Sequence, residues 1–272
     1  VERADYVCFA GSTATGARIA ARAGERLIGA SLELGGKNPM LVLADADLDA
    51  AVAGAVRGCF ANASQLCVSF ERIYVEQDVF EAFLTRFVAA TAALDLRVGM
   101  GWDGDVGTLV SADQLAKVSG QVEDARARGA RVRAGGRPRP DLAPYAYEPT
   151  ILTGVEPGMA CYREETFGPV VAVYPVATEA DAIAAANDDR HGLNASVWSR
   201  DARRGRAVAA QLRTGSVNVN EAFGASFASL SAPMGGMGES GLGRRQGPEG
   251  LYRFTRPQTV ATQRGLGFGT PP

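Results

Sequence analysis

Apolar positions along the chain fall into two rhythms, and the rhythms alternate. Tyr6-Val7-Cys8-Phe9 is a short apolar run that predicts a buried strand. A glycine-bounded turn at 11–16 follows, then helical spacing over 17–27. Ser31-Leu32-Glu33-Leu34 predicts a strand that stops at Gly35-Gly36, and 39–43 predicts another. Leu48, Ala51, Val52, Ala55, Val56, Cys59 and Phe60 then recur at i, i+3, i+4, with Asp45 and Asp47 placed to start a helix. A second amphipathic helix carries Val79, Phe80, Phe83, Leu84, Phe87 and Val88, and a strand over 72–75 separates the two.

The alternation continues to the far end. Helices are predicted over 114–128, 179–187 and 202–212, and strands over 130–133, 149–152, 170–176, 195–198 and 217–219. Strands alternating with helices of this length predict an α/β fold with a mostly parallel sheet. The stretch 259–263 reads as a further strand, one that would pair in a dimer arm because an exposed edge needs a partner. Residues 265–272 read as a loose tail.

Composition narrows the function classes. The chain has 272 residues, 46% apolar and 21% charged, enough for a full core in one or two domains. A formal net charge of −2, with no long run of one sign, argues against nucleic acid and against a membrane surface as partner. No apolar stretch approaches the ~20 residues needed to span a bilayer. Four cysteines without a CxxC pair, beside a single histidine, make a zinc site implausible and read as reduced thiols of a cytoplasmic protein. Cys8 and Cys59, in apolar runs, read as core fillers, and His191 reads as a surface residue in a turn. The chain lacks an initiating Met and opens one step before a strand, as a piece of a longer chain would.

Four segments carry candidate chemistry, each with a plainer alternative. Gly11-Ser12-Thr13-Ala14-Thr15-Gly16 sits between strand and helix, where free N–H groups can hold a phosphate; it is equally a structural turn. Glu33 ends an apolar strand ahead of Gly35-Gly36, where burial would raise its pKa and suit it to act as a base; the alternative is an ordinary surface carboxylate. Cys67 closes the small, polar segment Asn62-Ala63-Ser64-Gln65-Leu66 and reads either as a nucleophile of lowered pKa or as an inert buried thiol. Glu164-Glu165-Thr166-Phe167-Gly168-Pro169 either lines a pocket or is only a strand entry.

Taken in order, these segments resemble the aldehyde dehydrogenase superfamily. So does Pro233-Met234-Gly235-Gly236-Met237-Gly238-Glu239-Ser240-Gly241-Leu242-Gly243-Arg244, and the likeness runs from about residue 6 to 263. The wording of 21–46, 147–154 and 213–221 is similar to that of actinobacterial succinate-semialdehyde dehydrogenases. The resemblance implies Cys67 as nucleophile, with its own backbone N–H at the oxyanion, and Glu33 as general base. It implies NAD or NADP as cofactor, with Glu165 on the nicotinamide ribose, Phe167 beside the nicotinamide, and Ser12 near the pyrophosphate. Gly11, Gly16 and Leu34 join that cofactor side. Ser229 and Phe223 fall on the substrate side for a small aldehyde. It further implies a homo-oligomer, with residues 1–34 the remnant of a cofactor-binding domain, 35–238 the catalytic domain and 239–272 a return and oligomerisation segment. The second oxyanion donor and the adenine pocket would lie upstream of Val1, so this chain alone would bind cofactor poorly. Two departures stand out. Ser64 occupies a slot that is usually Gly, where Ser fits if its φ is negative. Ala61 occupies a slot where some semialdehyde enzymes carry an Arg for the distal carboxylate.

Overall fold

The structure, a computed structural model, describes residues 1–99, 101 and 104–264. The tail expected to be loose, 265–272, lies outside the described residues. In chain order the elements are β1 (Tyr6–Ala10), α1 (Thr13–Glu25), β2 (Gly29–Glu33), β3 (Asn38–Val42), α2 (Leu48–Phe60), a 3-10 turn (Ala61–Ser64), β4 (Phe70–Glu76) and α3 (Gln77–Ala92). There follow α4 (Ala112–Ala127), β5 (Arg131–Ala134), β6 (Thr150–Thr153), α5 (Ala160–Arg163), β7 (Val170–Val176), α6 (Glu179–Asn187), β8 (His191–Gly192) and β9 (Asn194–Trp198). The last are α7 (Ala202–Ala209), β10 (Ser216–Val219), α8 (Gly224–Ala228), β11 (Met237–Gly238), β12 (Gly241–Leu242) and α9 (Gly247–Tyr252).

Seven strands form the main sheet in the order β10-β9-β3-β4-β7-β6-β5, parallel except for the edge strand β5. Its central strands β3, β4 and β9 are buried throughout because both faces are covered. Cys59, Phe60, Phe83 and Phe87 of α2 and α3 pack on one side with Ile73, Val171 and Val173. Leu41, Leu43 and Tyr74 meet Ala182, Ala186 and Val208 of α6 and α7 on the other. Each fully buried Phe contributes about 1.5–3 kcal/mol. Pro39 sits in the central strand β3 although it has no N–H to give; the register against β4 shifts at Asn38/Pro39, and pairing with β9 begins only at Met40. Helix starts are capped as their sequences demand: Asp47 accepts from Asp49 N and Ala50 N at 3.1 Å, and Thr178 accepts from Asp181 N at 3.1 Å.

A smaller sheet, β1-β2-β12, lies beside the main one. β1 pairs with β2 in parallel, and β12 returns from far along the chain to pair antiparallel, Gly241 opposite Glu33. β2 therefore ends where the link 34–37 crosses to the start of β3. One expectation changes here. Cys8 is exposed rather than a core filler: side chains alternate between the faces of β1, and Cys8 shares the more open face with Ala10. Residues 259–263 form no strand in the single chain and are exposed.

Candidate active site

The candidate residues collect where two sheets present opposite ends. Glu33 is the last residue of β2, at the C-terminal edge of the small sheet. Cys67 and the 164–167 segment lie just ahead of β4 and β7, at the N-terminal edge of the large one. Gly35 and Gly36 are the seam. A Cβ on Gly35 would come within 2.5 Å of the Glu165 carboxylate, and one on Gly36 within 2.8 Å of the Cys67 carbonyl oxygen. Gly36, which faces backbone, thus requires the absence of a side chain, and at Gly35 a side chain would push the Glu165 carboxylate aside. The Gly36 N–H donates to Glu165 Oε1 at 2.9 Å, and the Asn38 side chain donates to the carbonyls of Cys67 and Ser69, each at 2.8 Å. Ser240, fully buried, donates to the Gly35 carbonyl at 2.7 Å and accepts from Gly192 N at 3.0 Å, so the glycine-rich return segment pins the same seam.

The approach to Cys67 is a left-handed turn. Asn62, Ala63 and Ser64 have φ of 53°, 52° and 59°. Ser64 therefore does not take the negative φ under which a Ser fits; its buried hydroxyl also has no hydrogen-bond partner among the described residues. Gln65 locks the turn, donating to the carbonyls of Asn62 (3.2 Å) and Thr108 (3.1 Å) and accepting from Val110 N at 2.8 Å. Cys67 itself is half-buried against Val68, Leu193, Met234, Leu66 and Phe223. Burial raises its thiol pKa, the Glu33 carboxylate raises it further, and Arg245 opposes both, with Glu165 adding a smaller push upward. The shift is thus upward, opposite to the lowered pKa expected of this thiol, with burial its first cause.

Glu33 is nearly buried, and burial raises its pKa despite Arg245, Arg253 and Arg244 nearby. Arg245 Nε lies 3.0 Å from Glu33 Oε1, in ion-pair contact but misaligned for a hydrogen bond. Glu165 is also raised, by burial and then by Glu71, with the Gly36 N–H pulling the other way.

A buried ion pair, which the sequence reading passed over, holds the Glu165 segment. Lys37 Nζ donates to Glu71 Oε2 at 2.6 Å and to the Glu164 carbonyl at 2.7 Å. Glu71 in turn accepts from the N–H groups of Thr166 and Phe167, at 2.8–2.9 Å. That clamp, with Gln114 donating to the Phe167 carbonyl at 2.8 Å, holds Phe167 at a φ of 53°. The available signal was a Lys directly after two glycines and a Glu inside an apolar strand: two charges that cannot be buried singly.

The remaining expected residues are placed as follows. Ser12 is exposed and caps α1, accepting from Thr15 N at 3.3 Å. Gly11 N donates to the Glu33 carbonyl at 3.0 Å. Gly16 and Leu34 pack on each other: a Cβ on Gly16 would strike Leu34 Cδ2 at 2.4 Å. Phe223 joins the Cys67 cluster. Ser229 donates to the Ala225 carbonyl at 3.0 Å, is exposed, and lines a cavity with Met234 and β10 rather than with Cys67. His191, expected at the surface, is buried, because its Nδ1 is 2.9 Å from the buried Asp189 carboxylate, which faces Arg72. Among the described residues no group of acids, cysteines and histidines could hold a metal, and no helix is long and apolar enough to cross a membrane.

A parallel sheet covered on both faces, with a thiol and the carboxylates Glu71 and Glu165 at its strand entries and Glu33 facing them from the end of the smaller sheet, defines an α/β protein with a cysteine-centred site. The chain belongs to the aldehyde dehydrogenase family, whose profile matches residues 2–260. It is 53% identical over 270 residues to a Mycobacterium tuberculosis protein provisionally named succinate-semialdehyde dehydrogenase [NADP(+)] 2, covering 99% of this chain and 52% of that one. It is also 53% identical over 271 residues to a similarly named Mycolicibacterium smegmatis protein, again covering 52% of it. Among solved structures, betaine aldehyde dehydrogenase of Staphylococcus aureus in complex with NAD+ superposes with a TM-score of 0.86 at 34% identity, over 96% of this chain and 54% of that one. The chain spans about half the length of the curated relatives it matches.

Proposed function

We propose that this chain is the catalytic portion of an NADP+- or NAD+-dependent aldehyde dehydrogenase that oxidises a small aldehyde, succinate semialdehyde, to its carboxylic acid. The observation that carries the reading is the seam at Gly35-Gly36, which brings the backbone of Cys67, the carboxylate of Glu165 and the link after Glu33 into contact. The residues present fit the nicotinamide end of such a cofactor: one Glu165 oxygen is fixed by the Gly36 N–H, and Phe167, two residues on, is held at a φ of 53° with its N–H donated to Glu71. When bound, the nicotinamide accepts a hydride.

Cys67, as thiolate, adds to the aldehyde carbon, and the backbone N–H of Cys67 faces the oxyanion that forms. Loss of the hydride leaves a thioester on Cys67. Glu33 takes a proton from water, the hydroxide attacks the thioester carbon, and the carboxylic acid departs as the thiolate is restored. A raised pKa suits Glu33 to this task, since it brings the carboxylate closer to working pH as a base. Residues 1–34 belong in this reading to the cofactor-binding domain, 35–238 to the catalytic domain and 239–272 to the return segment. Relatives named for succinate semialdehyde and NADP+ support the substrate and cofactor. Four unpaired cysteines support a cytoplasmic setting, and the open edge of β1 supports assembly with further chain or further copies.

The test is formation of reduced nicotinamide with succinate semialdehyde and with a neutral aldehyde of equal length. It is run on this chain and on a longer chain that contains it. The longer chain is expected to turn over the semialdehyde and lose activity with Cys67→Ala, while Glu33→Gln stalls after one equivalent of hydride. Equal specific activity of the short chain would refute the assignment as a portion; undiminished activity of Cys67→Ala would refute the chemistry.

A further inference from the structure

We propose that Arg245 is a positioning residue of the candidate site, holding the Glu33 carboxylate and offsetting the negative charge that gathers when Glu33 and Cys67 are both ionised. This rests on the reading of Cys67 and Glu33 given above.

Geometry places Arg245 there by backbone and by side chain. Its N–H donates to the Met234 carbonyl at 2.7 Å and its carbonyl accepts from Met234 N at 2.6 Å, an isolated antiparallel bridge. Met234 is one of the buried residues packed around Cys67. The bridge therefore fixes the Arg245 backbone to the wall of the thiol site, and the side chain turns from there to Glu33, with Nε 3.0 Å from Oε1. Its neighbours are otherwise engaged: Arg244 donates to the carbonyls of Gly236 (3.0 Å) and Gly243 (2.9 Å), and Arg253 to Ser31 Oγ (2.8 Å) and the Arg244 carbonyl (3.2 Å). The side chain of Arg245 also reaches Met234, Nη2 to Sδ at 3.6 Å.

Charge gives the arrangement its purpose. The groups that bear on Glu33 are Arg245, Arg253 and Arg244, together with Cys67; those that bear on Cys67 are Glu33, Arg245 and Glu165. Arg245 favours the ionised form of both reacting groups. Ionising either one alone raises the cost of ionising the other, as in any close pair of acids. A cation touching one and near the other relieves that conflict.

The test is the pH dependence of Cys67 alkylation by iodoacetamide, resolved from Cys8, Cys59 and Cys161 by peptide mass spectrometry and needing no cofactor. Wild type, Arg245→Gln, Arg245→Lys and Glu33→Gln are compared, with thermal melting to show that each is folded. Arg245→Gln is expected to move the Cys67 profile upward by about half a pH unit, about a threefold loss of rate below the midpoint, a discounted version of the shift a close guanidinium exerts. Arg245→Lys should recover most of it, Glu33→Gln should move the profile downward, and Cys8 should serve as the unchanged control. A folded Arg245→Gln protein with the wild-type Cys67 profile, or a faster one, would overturn the role. Wild-type Cys67 that stays unmodified at every pH while Cys8 reacts would instead remove the nucleophile assignment, and this proposal with it.

Discussion

Replacing Ser64 by Gly should make the protein more stable, although it deletes a buried side chain. Ser64 holds a φ of 59° in the turn before Cys67. For a residue with a Cβ the left-handed conformation costs roughly 1–2 kcal/mol, and for Gly nothing. Ser64 is 1% exposed and its hydroxyl is unpartnered, a further penalty of about 1–3 kcal/mol. Against these stands the extra freedom of Gly in the unfolded chain, about 0.4–1 kcal/mol. The balance favours Ser64→Gly by about 1–4.5 kcal/mol, or about 2–4 °C in melting temperature per kcal/mol for a chain of this size. Ser64→Ala separates the contributions, since it keeps the strained Cβ and loses only the hydroxyl. Urea denaturation of the three proteins should rank Gly above Ala above Ser. A Gly variant no more stable than wild type would refute the strain, and an Ala variant equal to Gly would assign the whole gain to the hydroxyl.

Lys37→Met leaves Glu71 buried without its cation, and breaking such a pair costs about 3–5 kcal/mol; denaturation should show the loss, and hydrogen exchange at the Thr166 and Phe167 amides should rise with it, whereas unchanged protection there would detach the ion pair from the Glu165 segment. Glu33→Gln tests the raised carboxyl through linkage. Because burial lifts Glu33 above its usual 4.5, the folded chain keeps a proton that the unfolded chain releases, so wild-type stability falls as pH rises from about 4.5 through the raised value. The melting temperature of Glu33→Gln relative to wild type should therefore climb across that window and then level; a flat difference would rule the raised carboxyl out.

The parts of this fold that could be read from sequence are those with long, unambiguous periodicity. Helices over 48–60 and 179–187 and the strand over 170–176 coincide with α2, α6 and β7, because their burial pattern is the apolar pattern itself. Strands β8, β11 and β12 are two residues each, too short for any period, and exist because the return segment folds back on β2 and on His191. Cys8 misled because an apolar run does not say which face of a strand is covered. Cys67 and Glu33 were legible as a pair only through the resemblance. Arg245 was not legible at all: an Arg beside another Arg after a glycine-rich stretch gives no sign that it will reach back 212 positions to Glu33, as β12 and the Met234 bridge make it do.

The two glycines of the seam also bear on how such a chain can diverge. Ser64 strains only its own turn, so a substitution there is a local burden that other small gains can offset. A methyl group on Gly36 would press on the backbone of the segment bearing Cys67, and one on Gly35 on the end of the Glu165 side chain. In a selection for activity over many generations Gly36, which faces backbone, should therefore stay invariant while Ser64 drifts.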